Sequence, residues 1–202
     1  MIVSSYMPFP AISWWTTIID TDVLILDKAE HFEKMSFRNR YEIAGANGKI
    51  MLSIPIEKGR NNRASMKDIK IAPGNWQTQH WRTIMSAYGR APFFEYYSPY
   101  LQKLFETNFT FLIDFNVASV QYVEKSLKIQ LKKTFTEEYV DRYDSALDLR
   151  IAPQRTTSSF PQYFQPFANK TGFLPNLSIL DLLFSEGPAI IAWIKENKEF
   201  IV

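Results

Sequence analysis

The sequence predicts a mixed α/β fold, and three observations carry this prediction. The chain opens with two short apolar runs separated by an apolar helical stretch, which is the pattern of a β-α-β unit. Two further runs alternate apolar and polar residues around Asn47-Gly48, as in a β-hairpin. Later segments show helical spacing. We therefore expect a βαβ-like opening and a β-hairpin that form a small mixed sheet, packed by an all-helical middle and C-terminal part.

The opening unit consists of residues 2–6 as a first buried strand, 11–19 as a short helix and 23–26 as a second buried strand. This order predicts that the two strands pair in parallel. Ligands of parallel sheets bind at the carboxyl ends of the strands. Tyr6 and Asp27, which end the two runs, are therefore candidate pocket residues, and positions on the rim without a catalytic role are the alternative.

The predicted hairpin spans residues 34–56 and carries a basic face. Apolar residues recur at every second position, which places Lys34, Arg38 and Arg40 together on the opposite face. Such a row of cations requires screening by solvent, pairing with acidic neighbours or an anionic ligand. Asn39 falls on the apolar face, where an amide needs hydrogen-bond partners, so it is either a backbone clamp or part of a site.

The segment 57–70 after the hairpin is predicted to be a loop with a local excess of three positive charges. It is either an anion-binding loop or a solvated surface loop. It lacks the Gly-x-x-x-x-Gly-Lys spacing of a phosphate-binding loop, so hydrolysis of a nucleoside triphosphate is not supported.

Residues 76–88 have the spacing of a helix, and four large side chains follow one another at i, i+4: Trp76, His80, Ile84 and Tyr88. A histidine on such a face is either a core residue with satisfied hydrogen bonds or, because it titrates near neutral pH, a general base. Further helices are predicted after Ala91-Pro92, from Asp114 or Asn116 and over 179–184, with a strand within 130–140. With no repeat or linker in evidence, we expect one domain over residues 1–202.

Composition excludes several classes of chemistry and partner. The chain has no cysteine, which removes disulfides, thiolate metal sites and a cysteine nucleophile. With His31 and His80 as the two histidines, no three-histidine metal site is possible, and we predict no metal site. A formal charge of +2 gives no support for nucleic acid as a partner. No apolar run approaches the roughly 20 residues of a membrane span, and the N-terminus lacks the basic region of a secretory signal, so we expect a cytoplasmic protein.

A set of motifs spread over nearly the whole chain resembles the WbqC-like family. The motifs are Lys34-Met-Ser-Phe-Arg-Asn-Arg, Ala46-Asn-Gly, Leu52-Ser-Ile-Pro-Ile, Trp76, His80-Trp81, Tyr88 with Ala91-Pro-Phe-Phe-Glu-Tyr-Tyr, Leu112-Ile-Asp-Phe-Asn, Gly172-Phe, and Leu177-Ser-Ile-Leu-Asp-Leu-Leu-Phe with Glu186-Gly-Pro. Each motif is short, but the combination is specific. The chain departs from the family at its start, where many members have His-Gln-Pro before Tyr-x-Pro and this chain has Ile2-Val-Ser before Tyr6-Met-Pro.

The resemblance implies a function in surface-polysaccharide (O-antigen) biosynthesis, because the family takes its name from such gene clusters. Its members are labelled glycine or aminoacyl transferases. The function implied here is transfer of an acyl or aminoacyl group, such as glycine, to a sugar from an anionic donor that bears phosphate or carboxylate. The cofactor, if the reaction uses one, is not identified by the sequence. The alternative is a non-catalytic protein that binds a nucleotide-sugar or an acidic segment of a partner.

The candidate site combines the basic hairpin with the aromatic helix. In the catalytic set, His80 is the general base and Asn39 positions the acceptor. The substrate-binding set comprises Lys34, Arg38, Arg40, Tyr6 and Trp81, with the two arginines holding the anionic group. A third possibility, without any ligand, is that Arg38, Asn39 and Arg40 lock the hairpin to the helices.

Overall fold

The computed structural model describes residues 1–57, 64–150 and 160–201. In chain order its strands and helices are β1 (Ile2–Ser5), α1 (Ile12–Ile18), β2 (Leu24–Asp27), β3 (Arg40–Gly45), β4 (Gly48–Ser53), α2 (Trp76–Tyr88), α3 (Phe94–Glu106), α4 (Leu112–Leu127), β5 (Lys133–Phe135), β6 (Leu147–Asp148), α5 (Ala168–Thr171), α6 (Ile179–Glu186) and α7 (Ile190–Ile201). Short 3₁₀ turns occur at Phe37–Asn39, Met66–Asp68 and Gly187–Ala189. The mixed α/β class that the sequence predicts is confirmed.

The central sheet has four parallel strands in the order β5-β2-β1-β6. The opening βαβ unit is present as predicted, with Ile2 opposite Leu24 across β1 and β2. The strand predicted within 130–140 is β5. Strand β6 was not predicted, because Leu147 and Asp148 lie in a polar stretch without apolar alternation. The middle part is therefore helical as far as the end of α4, and two strands then return the chain to the sheet.

All four residues of β1 are buried, and the hydroxyls of its two serines take part in hydrogen bonds. The indole Nε1 of Trp14 in α1 donates to Ser4 Oγ at 2.7 Å, which fixes the first helix over the sheet. Helix α1 in turn packs against α6 and α7. The first and last parts of the described chain thus share one hydrophobic core.

The hairpin forms a second, two-stranded antiparallel sheet rather than joining the parallel strands. Its register runs from Arg40 opposite Ser53 to Gly45 opposite Gly48. Tyr41 and Ile43 point into the core, as the period-two pattern predicts. Gly48 has a φ of 112°, a left-handed value that side chains rarely adopt, which explains the glycine after Asn47.

The prediction of a basic strand face is wrong, because β3, the first strand of the hairpin, begins at Arg40 and not near Lys34. Met35 has a left-handed φ of 61° and is 83% exposed, and a 3₁₀ turn occupies Phe37–Asn39. Ser36 Oγ caps this turn by accepting from Arg38 N at 3.3 Å. Lys34 and Arg38 therefore do not share a strand face with Arg40.

The helices of the middle part agree closely with the sequence. Helix α2 has the predicted bounds, and its last residue is followed by Gly89, whose N–H donates to Met85 O. Helix α3 begins at Phe94, three residues after the predicted Ala91 start, and α4 begins at Leu112. No helix in the described parts of the chain is long and apolar enough to cross a membrane.

Two stretches with sequence-based expectations fall outside the described residues. Residues 58–63 are six of the fourteen residues of the predicted basic loop 57–70. Residues 151–159 end the stretch 141–159, for which the sequence predicts a polar connection with a short helix. The expectation of one domain over residues 1–202 stays a prediction.

A buried carboxylate joins the hairpin to the helices. Asp181 of α6 is fully buried and accepts hydrogen bonds from the hydroxyls of Tyr88 and Tyr163, each at 2.5 Å. Gln165 Nε2 donates to the same carboxylate at 2.8 Å, and Ala44 N of β3 donates to the Tyr88 hydroxyl at 3.0 Å. Burial raises the pKa of Asp181, and the tyrosine hydrogen bonds oppose that shift.

Replacing Tyr88 by Phe is expected to destabilise the protein by about 2–4 kcal/mol. The change removes one donor from a buried carboxylate and leaves the Ala44 N–H without its acceptor. Thermal unfolding should show a decrease in Tm of about 2–4 °C for each kcal/mol lost. The matched control is Tyr96→Phe, because Tyr96 is 64% exposed. Equal Tm values for the two variants would contradict a stabilising role of this network.

Candidate functional site

Polar side chains gather at the carboxyl edge of the parallel sheet. The strand order reverses at β1, which has β2 on one side and the last strand, β6, on the other. Ligand sites of parallel sheets lie at such a reversal, beyond the carboxyl ends of the strands. Ser5 ends β1, and Asp27 and Asp148 end its two neighbours. A ligand site at this edge would therefore involve these residues and their contacts.

The Asp27 side of this edge is closed by an arginine. Arg150 Nη1 donates to Asp27 Oδ2 at 2.6 Å, and its Nη2 donates to Asp148 Oδ2 at 2.6 Å. The remaining donors of Arg150 reach the carbonyl oxygens of Val140 and Asp141 and the Asp148 carboxylate. These hydrogen bonds, led by those with Asp148, raise the pKa of the guanidinium. Because both carboxylates and all the guanidinium nitrogens are engaged, Arg150 links the strand ends and is not free to hold a ligand.

The β1 side of the edge contains a second buried ion pair, between Arg38 and Glu30. Arg38 Nη2 donates to Glu30 Oε2 at 2.6 Å, and both side chains are more than nine-tenths buried. Ser5 Oγ donates to the same oxygen at 2.9 Å, and Arg38 Nη1 pairs with the exposed Glu33 at 3.0 Å. Burial raises the pKa of Glu30, and Arg38 opposes that shift. Arg38, predicted to hold an anionic substrate, therefore already has two acidic partners within the protein.

Asn116 in α4 connects this pair to the end of β1. Its Nδ2 donates to the carbonyl oxygens of Arg38 at 2.8 Å and of Tyr6 at 3.1 Å. The two backbone segments that follow β1 and precede β3 are thereby held side by side. Asn116 is fully buried, so these bonds act in a medium that excludes water.

Asn39 clamps the hairpin backbone. Its Nδ2 donates to Ile54 O at 2.9 Å, and its own carbonyl accepts from Ile54 N at 2.8 Å. The sequence left open whether Asn39 is a backbone clamp or part of a site, and these hydrogen bonds are those of a clamp. It fixes the backbone immediately before Arg40, the first residue of β3.

Arg40 lines a small cleft between the hairpin and the segment that follows β1. The cleft has a volume of about 10 Å³, and its walls are mostly apolar. The residues that line it are Met7, Pro8, Phe9, Pro10, Ala11, Phe37, Arg40, Tyr41, Glu42, Asn176 and Ser178. Within residues 1–57, 64–150 and 160–201, the Arg40 guanidinium has neither an acidic partner nor a hydrogen bond, and its Nε is shielded from solvent.

Buried polar atoms without a hydrogen-bond partner are concentrated around these segments. The described residues contain eight such side-chain atoms, and six of them lie in the neighbourhood joined by Asn116 and the Arg38 turn. The six atoms are Tyr6 Oη, Glu30 Oε1, Arg38 Nε, Asn39 Oδ1, Arg40 Nε and Asn116 Oδ1. Folded proteins satisfy nearly all buried polar groups, so a cluster of buried polar atoms without protein partners requires an explanation, such as a bound ligand, ion or water. This concentration marks the ends of β1 and the start of β3 as the candidate functional site.

His80 lies under the hairpin and not in the cleft. Tyr41 Oη bonds to His80 Nδ1 at 3.0 Å, and His80 Nε2 bonds to Ser53 O at 3.2 Å. The carbonyl of Ser53 can only accept, so Nε2 carries the proton and Nδ1 accepts from Tyr41. Burial lowers the pKa of His80 to about 4. Because Tyr41 is a wall of the cleft, His80 holds that wall in position; its role as general base stays a prediction.

The structure brings some of the predicted site residues together and separates others. Arg38, Asn39 and Arg40 follow one another along the turn, and Asn116 joins Arg38 to Tyr6. The Tyr6 ring stacks on Phe135 with centroids 5.9 Å apart. Lys34 is exposed on the preceding loop.

Trp81 lies apart from this group, in the packing between α2 and α3. Its ring stacks on Phe94 with centroids 6.2 Å apart, and it also contacts Phe105. Among the described residues, no group of three His, Asp or Glu side chains is placed to hold a metal ion.

Comparison with known proteins identifies the family. The model of the WbqC-like protein family matches residues 4–160, which is more than half of the chain and includes the six residues with unsatisfied buried atoms at the candidate site; Asn176 and Ser178 of the cleft wall lie beyond the match. The chain belongs to the WbqC-like protein family. No curated protein and no solved structure matches it significantly. The resemblance seen in the sequence motifs of this WbqC-like protein is thereby confirmed.

Two site residues of this WbqC-like protein, Glu30 and Asn116, were missed in the sequence. Glu30 follows Asp27, the last residue of the second strand, by three residues, so its position beyond a strand end was the available signal. Asn116 lies within the apolar face of α4, where a polar residue indicates a specific partner. The partners themselves lie far apart in sequence and could not be identified from local spacing.

Replacing Arg38 by Ala is expected to lower the free energy of unfolding by about 3–5 kcal/mol, because it leaves Glu30 buried without its cation. Replacing Arg40 by Ala is expected to change it by less than about 1 kcal/mol, since Arg40 has no acidic partner among the described residues. Urea unfolding of both variants measures the difference. Similar losses in the two variants would contradict the division between a structural and a free arginine.

The buried imidazole predicts a pH dependence of stability. His80 has a folded pKa of about 4 against an ordinary value of 6.5, so the unfolded chain takes up the proton first as the pH falls. The neutral, buried His80 contributes to the free energy of unfolding above pH 6.5. This contribution, of up to about 3 kcal/mol, is lost as the pH falls towards 4. Wild type should therefore lose more free energy of unfolding over this range than His80→Gln does. The control, His31→Gln at an exposed position, should behave as wild type; a His80→Gln profile parallel to wild type would refute the assignment.

Proposed function

We propose that this WbqC-like protein holds an anionic small molecule through Arg40 and transfers an acyl or aminoacyl group, such as glycine, from it to a sugar in surface-polysaccharide (O-antigen) biosynthesis. The observation that carries the proposal is the guanidinium of Arg40, which has no partner among the described residues and lines an apolar cleft between the hairpin and the segment that follows β1. Because the charge of this partly buried cation is not used by an acidic side chain of the described residues, it is available to form charge-assisted hydrogen bonds with an anionic ligand.

The surroundings of Arg40 suit a binding site that is formed before the ligand arrives. The Asn39 clamp fixes the backbone on one side, and the hairpin register fixes it on the other, where Arg40 faces Ser53. Tyr41 is held by His80. A site whose walls are already ordered loses little conformational freedom when it binds, which favours affinity and the positioning of reacting groups.

The residues predicted from the sequence enter this proposal with different roles. Arg40 contacts the ligand directly, while Arg38 and Asn39 position it through the Glu30 ion pair and the Ile54 clamp. Lys34 assists from the exposed loop by attracting anions over a distance of about 8–10 Å at physiological salt. Transfer of the acyl group also requires a general base. His80, the residue predicted for it from the sequence, lies outside the cleft and reaches its wall through the hydrogen bond with Tyr41, so it would act on a bound ligand through the Tyr41 hydroxyl.

Replacing Arg40 by Ala is expected to abolish function without unfolding the protein. In a strain from which the gene has been deleted, we expect wild type to restore an acyl or aminoacyl substituent on the surface polysaccharide, measured by mass spectrometry. Arg40→Ala should restore at most one tenth of it, since loss of a charge-assisted contact weakens binding at least tenfold. Arg82→Ala, which removes an exposed arginine from α2, is the matched control and should restore the wild-type level.

Full restoration by Arg40→Ala would refute the role of the cleft. A strain whose polysaccharide carries no such substituent with or without the gene would instead favour the alternative function, a non-catalytic protein that binds a nucleotide-sugar or an acidic partner segment. In that case Arg40→Ala should still reduce the binding of UDP-glucose, or of an acidic peptide, by the purified protein.

A further inference from the structure

We infer that the anionic group held in the Arg40 cleft is a carboxylate with a single negative charge and not a phosphate. This inference rests on the proposed function, because it concerns the ligand of the same cleft, and it narrows the class of that ligand. Three features of the cleft lead to it: its charge, the donors that Arg40 offers and its size.

The side chains that line the cleft offer a ligand one positive charge, that of Arg40. Arg40 is the cation, and Glu42, the acidic residue that lines the same cleft, is paired with Lys49 at 3.1 Å. One guanidinium neutralises one carboxylate. A phosphate monoester, with a charge of about −1.5 to −2 near neutral pH, would bring an uncompensated negative charge close to Glu42.

The donors of Arg40 favour a planar acceptor with two oxygens. Its Nε is shielded from solvent and has no hydrogen-bond partner in the part of the chain that the structure describes. The Nε–H bond of an arginine lies parallel to one N–H bond of the neighbouring Nη, and this edge matches the two oxygens of a carboxylate. A carboxylate on this edge satisfies the buried Nε donor and neutralises the guanidinium at the same time.

The size of the cleft excludes a bulky group. Its volume of about 10 Å³ is close to the space that a single water molecule requires. One oxygen of a flat carboxylate can enter it and accept from the shielded Nε, while the second oxygen accepts from an Nη that is not shielded in the same way; the rest of the ligand stays outside. Phosphate spreads three terminal oxygens in different directions, and rings and prolines close the walls: Pro8, Phe9, Pro10, Phe37 and Tyr41.

Titration of the purified protein with acetate and with inorganic phosphate, at pH 7.5 and equal ionic strength, tests this inference. The probe is the ¹⁵N–¹H resonance of Arg40 Nε, identified by its absence from the spectrum of Arg40→Lys. Acetate should shift this resonance in a saturable manner, and phosphate should need at least a tenfold higher concentration for half saturation. Arg40→Lys keeps the positive charge but lacks the two-donor edge. We expect it to bind acetate at least tenfold more weakly, measured from backbone amides of Arg40's neighbours Asn39 and Tyr41.

The outcomes separate this inference from the proposed function. Saturable binding of phosphate at Arg40 Nε, equal to or tighter than that of acetate, would overturn the carboxylate while leaving an anion site in place. An Arg40 Nε resonance that responds to neither anion would overturn the proposed anion site and this inference together. Equal binding of acetate by wild type and Arg40→Lys would show that charge alone is recognised, which would also overturn it.

Discussion

The buried ion pair between Arg38 and Glu30 is the interaction on which the candidate site depends. Each ion alone would lose several kcal/mol of hydration when it is buried, so neither position tolerates its charge without the other. The pair also fixes where the chain runs. Glu30 follows β2, Ser5 ends β1 and Arg38 precedes β3, so one set of hydrogen bonds brings three distant segments to the same edge of the sheet.

This constraint determines the local structure before the hairpin. Because Arg38 is drawn towards Glu30, residues Phe37–Asn39 form a turn instead of extending the strand. Asn116 holds the carbonyl of Arg38, and Asn39 then bonds to Ile54 on the opposite arm. These contacts, with α4 and with the opposite arm of the hairpin, fix the direction of the chain at the start of β3. The position of Arg40 in the cleft follows from that direction.

Local patterns were sufficient to predict much of the fold but only part of the site. Apolar runs and helical spacing identified the parallel opening, the hairpin and α2, because these signals depend on neighbouring residues. The period-two pattern failed before Arg40, because Met35 and Phe37 continue it although a buried ion pair overrides it there. A pairing between Glu30 and Arg38 depends on tertiary structure, and no local spacing encodes it. For the same reason, a strand of two residues such as β6 gave no signal.

The two arginines of the Arg-Asn-Arg motif show how one sequence pattern yields two different functions. Residues i and i+2 share a face only if both belong to one strand. Here the chain changes from turn to strand between them, so their side chains diverge: Arg38 turns inward to Glu30, and Arg40 turns to the cleft. Asn39 lies where the turn meets the strand, and its hydrogen bonds to Ile54 fix the backbone there. The motif therefore couples a cation whose charge is used within the protein to a cation whose charge is available, and the first keeps the second in place.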